Sequence, residues 1–289
     1  MLRHPLLQRL RTPTAAGAVV ALLALAIPVS AQQPKTAPGS FVGAVLVSDD
    51  AAAASAFYAG LFDWDMERAK DGGYAVRHKG RAVAGISPLQ NARQEIEESF
   101  WLVGLAVDDI DRALEAAREG GGRIYEHAER VSDYGHFAVI ADRQKAPLML
   151  VEAGVEPLGG TEGPGSWVWA ELWTNDVEDA AAFYAEVLGV DNHKLDRGGR
   201  SYRVIGPDGE PRAGMVVIPE EFETVEPGWA PYVAVADLQA ALAEVRRLGG
   251  EVVFNAAEHP AQGAVALIRD PSGAVLFLYQ IGSHQEANR

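Results

Sequence analysis

The sequence contains no cysteine, and this absence removes several kinds of chemistry at once. Disulfide bonds, thiolate nucleophiles and cysteine-ligated zinc or iron–sulfur centres are all excluded. Basic residues are also scarce, because 25 Lys and Arg stand against 40 Asp and Glu, for a formal charge of −15. Binding to a phosphate backbone needs clustered Lys and Arg, so this charge balance argues against a nucleic-acid partner.

Residues 1–31 have the layout of a cleavable secretory signal. Three arginines precede an apolar run at 15–27, and small residues up to Ala31 suit cleavage after that position. The run is shorter than the about 20 residues that span a bilayer, so we predict no stable membrane anchor after cleavage; an uncleaved anchor is the alternative. Cleavage would leave 22 basic and 40 acidic residues, a charge of −18. We therefore predict an exported protein, periplasmic or secreted, with residues 32–40 as a flexible leader.

The chain repeats itself in four segments, in the order A, B, A′, B′. Each A segment reads as strand, turn and helix, and Phe57-Tyr58 of the first recurs 126 residues later as Phe183-Tyr184. Each B segment ends its helix at paired glycines, Gly121-Gly122 and then Gly249-Gly250, 128 residues apart. Each segment is too small to bury its own sheet face, so we predict that consecutive modules pair around a shared interior.

These repeats predict two domains, each made of two modules of β-α-β-β type. The first domain spans residues 41–154 and the second spans 166–282. Residues 155–165 are rich in Gly and Pro and are predicted to link the domains, while 283–289 form a tail. Pairing of modules within one chain predicts a monomer and leaves dimerisation open.

Short motifs recur at fixed places in these segments. They are Asp-x₆-Phe-Tyr-x₃-Leu-Gly at 176–189, the glycine pair at 249–250, and Asp-Pro-Ser-Gly at 270–273 before a final apolar strand. Together they resemble the vicinal oxygen chelate superfamily, which includes glyoxalase I, bleomycin-resistance proteins and extradiol dioxygenases. The tandem arrangement resembles its glyoxalase-like branch. Over residues 41–281 the resemblance implies an α+β fold of four βαβββ modules, paired into two cupped sheets.

Metal-dependent members of that superfamily hold a divalent cation with His, Gln or Glu on the first and last strands of paired modules. The positions of this chain that match are Gly43, Leu102, Met149, Trp169, Ala230 and Phe277. None of them carries a carboxylate or an imidazole, so none can ligate a divalent cation as the family does. We therefore predict no metal and no other cofactor, with a divalent metal at an unrecognised site as the alternative.

The stretch 166–184 is the most unusual part of the second domain. Alternate side chains of a strand share one face, and here that face combines three indoles with one carboxylate. The residues that this rule assigns to the interior of the second cupped sheet are Trp167, Trp169, Glu171, Trp173, Tyr232, Phe277 and Tyr279. Such an aromatic wall suits stacking on a flat ligand, whereas core packing or contact between the halves is the alternative for each Trp.

Glu171 is the acidic group of this predicted wall. It is a candidate general base, or an acceptor for an OH or NH of a ligand. The alternative is a structural carboxylate that is hydrogen-bonded to an Arg or to backbone N–H groups. Its counterpart in the first domain is Val45, so the first domain is expected to be mainly scaffold.

The function predicted from the sequence is binding of a small aromatic or apolar molecule in the second domain, without metal. The alternative is an enzyme of the superfamily's lyase, isomerase or dioxygenase types, with Glu171 as base or with an unrecognised metal site. A third alternative is an interaction module whose Trp cluster lies in an interface. The sequence does not name the ligand.

Overall fold

The structure is a computed structural model. It describes residues 36–89, 99–130, 136–152, 162–197, 200–207, 210–219, 222, 225–255 and 265–281. The signal peptide predicted at 1–31 and the tail at 283–289 lie outside these residues, as do 32–35 of the leader and 155–161 of the linker. Within the described ranges, no helix has both the length and the apolar character that crossing a bilayer requires.

The first half folds into one eight-stranded sheet with two helices. Its elements are β1 (Phe41–Ser48), α1 (Ala51–Phe62), β2 (Asp65–Arg68), β3 (Tyr74–His78), β4 (Arg81–Pro88), β5 (Phe100–Val107), α2 (Ile110–Glu119), β6 (Arg123–Arg130), β7 (His136–Ala141) and β8 (Pro147–Glu152). Across the sheet the strand order is β2-β3-β4-β1-β5-β8-β7-β6. The first strands of the two modules, β1 and β5, are antiparallel neighbours at the centre. Each pairs in parallel with the last strand of its own module.

The second half repeats this arrangement. Its elements are β9 (Trp167–Thr174), α3 (Val177–Leu188), β10 (Asn192–Arg197), β11 (Arg200–Ile205), β12 (Ala213–Val217), β13 (Gly228–Val235), α4 (Leu238–Arg247), β14 (Glu251–Asn255), β15 (Val265–Arg269) and β16 (Val275–Gln280). The strand order is β10-β11-β12-β9-β13-β16-β15-β14. The prediction of four βαβββ modules, paired into two sheets, is thus confirmed.

The four helices among the described residues begin in the same way, after an aspartate that follows a strand. The carboxylates of Asp50, Asp109, Asp176 and Asp237 accept hydrogen bonds from backbone N–H groups of the first helical turn. These side chains satisfy donors that have no partner inside the helix. The repeated aspartates of the sequence are therefore helix caps, which fix where each helix begins relative to its strand.

Two hydrophobic cores lie between the halves, and each takes helices and strands from both. Helix α2 packs on α3, and α1 packs on α4. One core joins Leu105 of the first half to Leu172 of the second, and the other joins Leu46 to Leu276. All four side chains have no exposed surface. Because neither half buries these faces alone, we expect the two halves to fold as one unit.

A buried hydrogen-bonded group strengthens the contact between the two halves, where the turn after β7 meets α3. Tyr184 accepts a bond from Trp229 Nε1 at 3.1 Å and donates one to Asp142 Oδ2, 3.2 Å away. Asp142 belongs to the first half, whereas Tyr184 and Trp229 belong to the second. Burial, together with the nearby charge of Asp142, raises the pKa of Tyr184 well above its usual value.

The equivalent group of the other core contains Tyr58, Trp101 and Asp270. Trp101 Nε1 donates to the Tyr58 hydroxyl at 3.0 Å. Burial, together with the charge of nearby Asp270, raises the pKa of Tyr58 well above its usual value. The repeated Phe-Tyr and Asp motifs of the sequence therefore hold the halves together rather than line a site.

Candidate binding site in the second cup

The face of the second sheet that points away from α3 and α4 carries a cluster of aromatic rings; this face is called the second cup below. Tyr232 and Phe277 stack with their ring centroids 4.3 Å apart and their planes 16° apart. Trp173 lies 5.7 Å from Phe277 and 5.3 Å from Phe222, and Phe222 lies 5.8 Å from Phe254. These separations are typical of stabilising aromatic pairs.

Glu171 lies among these side chains and is 8% exposed. Its Oε1 accepts hydrogen bonds from Trp173 Nε1 at 3.1 Å and from the Tyr232 hydroxyl at 3.0 Å. Its Oε2 accepts a bond from the Tyr202 hydroxyl at 2.8 Å. The carboxylate is thus bonded by three side chains, two of them from other strands, which fix its orientation.

The direction of these bonds follows from the donor chemistry of the rings. An indole N–H can only donate, so the bond of 3.2 Å between Trp169 Nε1 and the Tyr202 oxygen makes that oxygen an acceptor. The one proton of the Tyr202 hydroxyl is then directed to Glu171. An arrangement in which the carboxyl group accepts every bond is that of an ionised carboxylate. Among the described residues, no Lys, Arg or His forms an ion pair with it.

Gly214 makes room for this hydrogen-bonded group. It is the register partner of Glu171 on β12. A Cβ at this position would lie 2.0 Å from the Tyr202 oxygen and 3.0 Å from Trp169 Nε1. A side chain at position 214 is therefore incompatible with the Tyr202 bond to Glu171. Sequence reasoning missed both Tyr202 and Gly214, because their contact depends on the register of three neighbouring strands.

The structure brings five of the predicted residues into this region. They are Trp169, Glu171, Trp173, Tyr232 and Phe277. Tyr279 lies two residues beyond Phe277 and is the register partner of Val265, which packs on the aromatic cluster. Phe222 and Phe254 belong to the cluster and were missed; Phe222 follows β12 in a segment whose sequence has no strand pattern.

Trp167 is a correction to the predicted face. Strand β9 carries one extra residue, Val168, where it pairs with β13. Such a β-bulge reverses the alternation of side chains. Trp167 therefore points to the interface between the halves, where its ring lies 5.5 Å from Trp64 and 5.4 Å from Trp101. Its Nε1 donates to the Val83 carbonyl oxygen at 2.6 Å. Trp167 takes no part in the site described here.

The positions that hold metal in family members do not fit a metal in this chain. The first cup is the corresponding face of the first sheet, where Leu102 and Met149 pack; Ala230 and Phe277 pack inside the second cup. Their side chains offer no carboxylate or imidazole to a divalent cation. Elsewhere in the described part of the chain, no group of three or more His, Asp or Glu residues is arranged to hold a metal ion.

Comparison with known proteins places both halves in one family. Residues 40–148 and 167–277 match the family model of the Glyoxalase/Bleomycin resistance protein/Dioxygenase superfamily. CFP32 of Mycobacterium tuberculosis (strain CDC 1551 / Oshkosh), a candidate glyoxylase by its name, is 32% identical over 252 residues, which cover 83% of this chain and 94% of that protein. The anthracycline biosynthesis protein DauV of Streptomyces sp. (strain C5) is 31% identical over 262 residues, 82% of this chain and 92% of that one.

Solved structures show the same fold at low sequence identity. The Mn(II)-bound glyoxalase from Novosphingobium aromaticivorans has a TM-score of 0.60 at 14% identity and covers 84% of this chain, with 82% of its own chain matched. The 2,3-dioxygenase LapB from Pseudomonas sp. KL28 has a TM-score of 0.60 at 12% identity, over 85% of this chain and 93% of that one. The match of the family model to both halves, together with the relative at 32% identity, shows that the chain belongs to the glyoxalase/bleomycin resistance protein/dioxygenase superfamily, also called the vicinal oxygen chelate superfamily.

Proposed function

We propose that this protein binds a small aromatic or apolar molecule in the second cup, without a metal ion. The observation that carries the proposal is the meeting of aromatic rings with one buried carboxylate, Glu171. Trp169, Trp173 and Tyr232 are only partly buried, so each keeps part of its side chain exposed to a ligand. Ring faces stack on a flat molecule, and a single polar group orients it, which is the usual composition of a small-molecule site.

Flat polycyclic aromatic compounds are the class that we favour. Two relatives, DauV and DnrV, are named as anthracycline biosynthesis proteins. Anthracyclines contain fused aromatic rings, whose faces match the indole and phenol faces of the second cup. A neutral hydroxyanthraquinone is therefore a suitable first probe.

The test is quenching of tryptophan fluorescence by that probe, measured on residues 32–289. We expect saturable quenching in the unaltered protein and its loss in Trp169→Ala. Trp167→Phe is the control, because it changes an indole of the same strand that faces the interface between the halves. Quenching that is unchanged in Trp169→Ala would count against the proposal.

Catalysis is the second candidate function, and the burial of Glu171 favours it, since a buried carboxylate beside a ligand can move protons. A screen of α-oxoaldehydes, catechols and epoxides against the unaltered protein and Glu171→Gln separates the two. Turnover that disappears in the variant supports catalysis. Probe binding with no turnover in the unaltered protein supports binding alone.

Export is also proposed, on the basis of residues 1–31. The N-terminal sequence of the protein isolated from its native source tests it. A mature chain that starts at Gln32 supports export, and an intact N-terminus argues against it.

A further inference from the structure

We propose that the ligand of the second cup is an organic cation, namely an aromatic molecule that carries an ammonium or similar N–H donor. This inference rests on the proposed function and adds the charge and the hydrogen-bonding character of the ligand. It is argued from the charge of Glu171, from the direction of its hydrogen bonds and from the rings beside it.

The side chains that are hydrogen-bonded to Glu171 are all neutral. Trp173, Tyr202 and Tyr232 donate hydrogen bonds to it, and none of them carries a positive charge. A buried charge is energetically unfavourable unless a charge of opposite sign accompanies it, even when hydrogen bonds satisfy its oxygens. A cationic ligand would supply that missing charge, so its binding gains Coulombic energy that a neutral ligand does not gain.

The hydrogen-bond directions select the same kind of ligand. The N–H of Trp169 is used by Tyr202, and the donors of Trp173, Tyr202 and Tyr232 are used by Glu171. A carboxylate has about four acceptor sites, and three of those on Glu171 are occupied. The site therefore offers an acceptor to a ligand from Glu171, while these four rings have already used their donors within the protein. A ligand with N–H groups is complementary, and one with a carboxylate is not.

The rings around Glu171 are also suited to a cation. Trp and Tyr faces attract ammonium groups through their quadrupoles, and Trp does so most strongly. Trp173 and Tyr232 are hydrogen-bonded to Glu171, so their rings lie close to any group that reaches the carboxylate. The formal charge of the whole chain, −15, adds a long-range field that attracts cations and repels anions.

The experiment compares three probes with one ring system, by calorimetry at pH 7 on residues 32–289. They are 2-(2-naphthyl)ethylammonium, 2-(2-naphthyl)ethanol and 2-naphthylacetate. We expect the ammonium to bind at least tenfold more tightly than the alcohol, and the carboxylate to bind most weakly. The advantage of the ammonium should shrink as sodium chloride is raised, because salt screens charge interactions.

Two variants locate the effect. Glu171→Gln should abolish the preference, so that the ammonium binds no more tightly than the alcohol to this variant. Glu67→Gln removes the same charge from the exposed edge of the other sheet, where Glu67 pairs with Arg77, and should leave the preference intact. A preference that survives Glu171→Gln would overturn the assignment to Glu171.

The outcomes separate this inference from the function on which it rests. Equal affinity for the three probes, preference for the carboxylate, or no binding of the ammonium overturns the inference. If the hydroxyanthraquinone still quenches Trp169 in those cases, the proposed function stands without the cation preference. If neither the hydroxyanthraquinone nor any naphthyl probe binds, both proposals fail together.

Discussion

The two cups have the same strand order but different linings. In the first cup, the place of Glu171 is taken by Val45, and Leu102, Phe137 and Met149 pack around it with 0–5% exposure. In the second cup, the equivalent strands carry a carboxylate, two tyrosine hydroxyls and partly buried indoles. The same backbone therefore supports either a packed hydrophobic core or a polar aromatic site.

This difference indicates that the first cup contributes mainly to stability and the second cup provides the candidate site. A hydrophobic interior stabilises the fold by burial, whereas a carboxylate held by neutral donors adds little net stability and provides a reactive polar group. The interfaces between the halves are alike, because each contains a Trp–Tyr pair beside an aspartate. Selection for a site would therefore act on one cup while the other cup and both interfaces maintain the fold.

The largest loss of stability is expected when a cavity is created in the first cup. Leu102 has no exposed surface, and Leu102→Ala should lower the free energy of unfolding by about 2–5 kcal/mol through lost burial and a cavity. The second half already has alanine at the equivalent position, Ala230, where rings fill the space. Urea denaturation measures the change. A loss under about 1 kcal/mol would contradict a tightly packed first cup. Trp169 is only partly buried, so Trp169→Ala should lower the free energy of unfolding less than Leu102→Ala does.

Gly214→Ala should damage the second cup selectively. The new methyl would lie 2.0 Å from the Tyr202 oxygen, so Tyr202 must move away from Glu171. Overpacking of this kind costs about 1–3 kcal/mol of stability, and ligand binding should be lost with it. Adding Tyr202→Phe removes the closest atom, so the double variant should be more stable than the sum of the single effects predicts. Additive losses would mean that the clash lies elsewhere.

The two interfaces can be distinguished by removing one hydroxyl from each. Tyr184→Phe leaves both Trp229 Nε1 and Asp142 Oδ2 without their bond, which should cost about 1–3 kcal/mol. Tyr58→Phe should cost less, because Asp270 Oδ2 already has no hydrogen-bond partner among the described residues. Thermal or urea unfolding of the two variants gives the ranking. The opposite ranking would show that Tyr58 is the more important link.

The smallest effect concerns pH. Burial is the main cause of the raised pKa of Asp142 and of Asp270. Between the unfolded and folded pKa values of these aspartates, the folded protein binds more protons than the unfolded chain. Their protonation therefore contributes its full stability below the unfolded pKa of about 3.9, and this contribution is lost as pH rises through the folded pKa. Asp142→Asn should flatten the pH dependence of the unfolding free energy by at most about 1.4 kcal/mol per pH unit in that window.

The control for that experiment is Asp111→Asn, at an exposed position of α2. It should change the slope less than Asp142→Asn does, because its side chain is exposed. Identical slopes for the unaltered protein and Asp142→Asn, measured by urea denaturation from pH 4 to pH 7, would contradict the raised pKa of Asp142.

The fold could be predicted because four copies of one sequence pattern agree. The sheet face on which each single side chain lies could not be predicted in every case. Alternation placed Trp169, Glu171 and Trp173 correctly on β9, but it failed at Trp167, where the bulge at Val168 interrupts the strand. The first half shifts register at the equivalent place, next to Gly43, whose φ of 130° a side chain disfavours.

The polar centre of the site could be predicted only in part. Glu171 stood out because a carboxylate among indoles is rare, but its partners Tyr202 and Tyr232 lie 31 and 61 residues away along the chain. Such contacts depend on the register of β11, β12 and β13 against β9, which composition and periodicity do not specify. Phe222 lies in a connection, where no periodic pattern indicates a face.

The most direct test uses the indole N–H signals of the six tryptophans in a ¹H–¹⁵N spectrum during titration with 2-(2-naphthyl)ethylammonium. Trp169 and Trp173 lie in the second cup, whereas Trp64, Trp101, Trp167 and Trp229 lie between the halves. Saturable shifts confined to Trp169 and Trp173, which require at least tenfold more ligand in Glu171→Gln, are the predicted result. Shifts confined to the four interface signals, or no shift at all, would contradict a ligand site in the second cup.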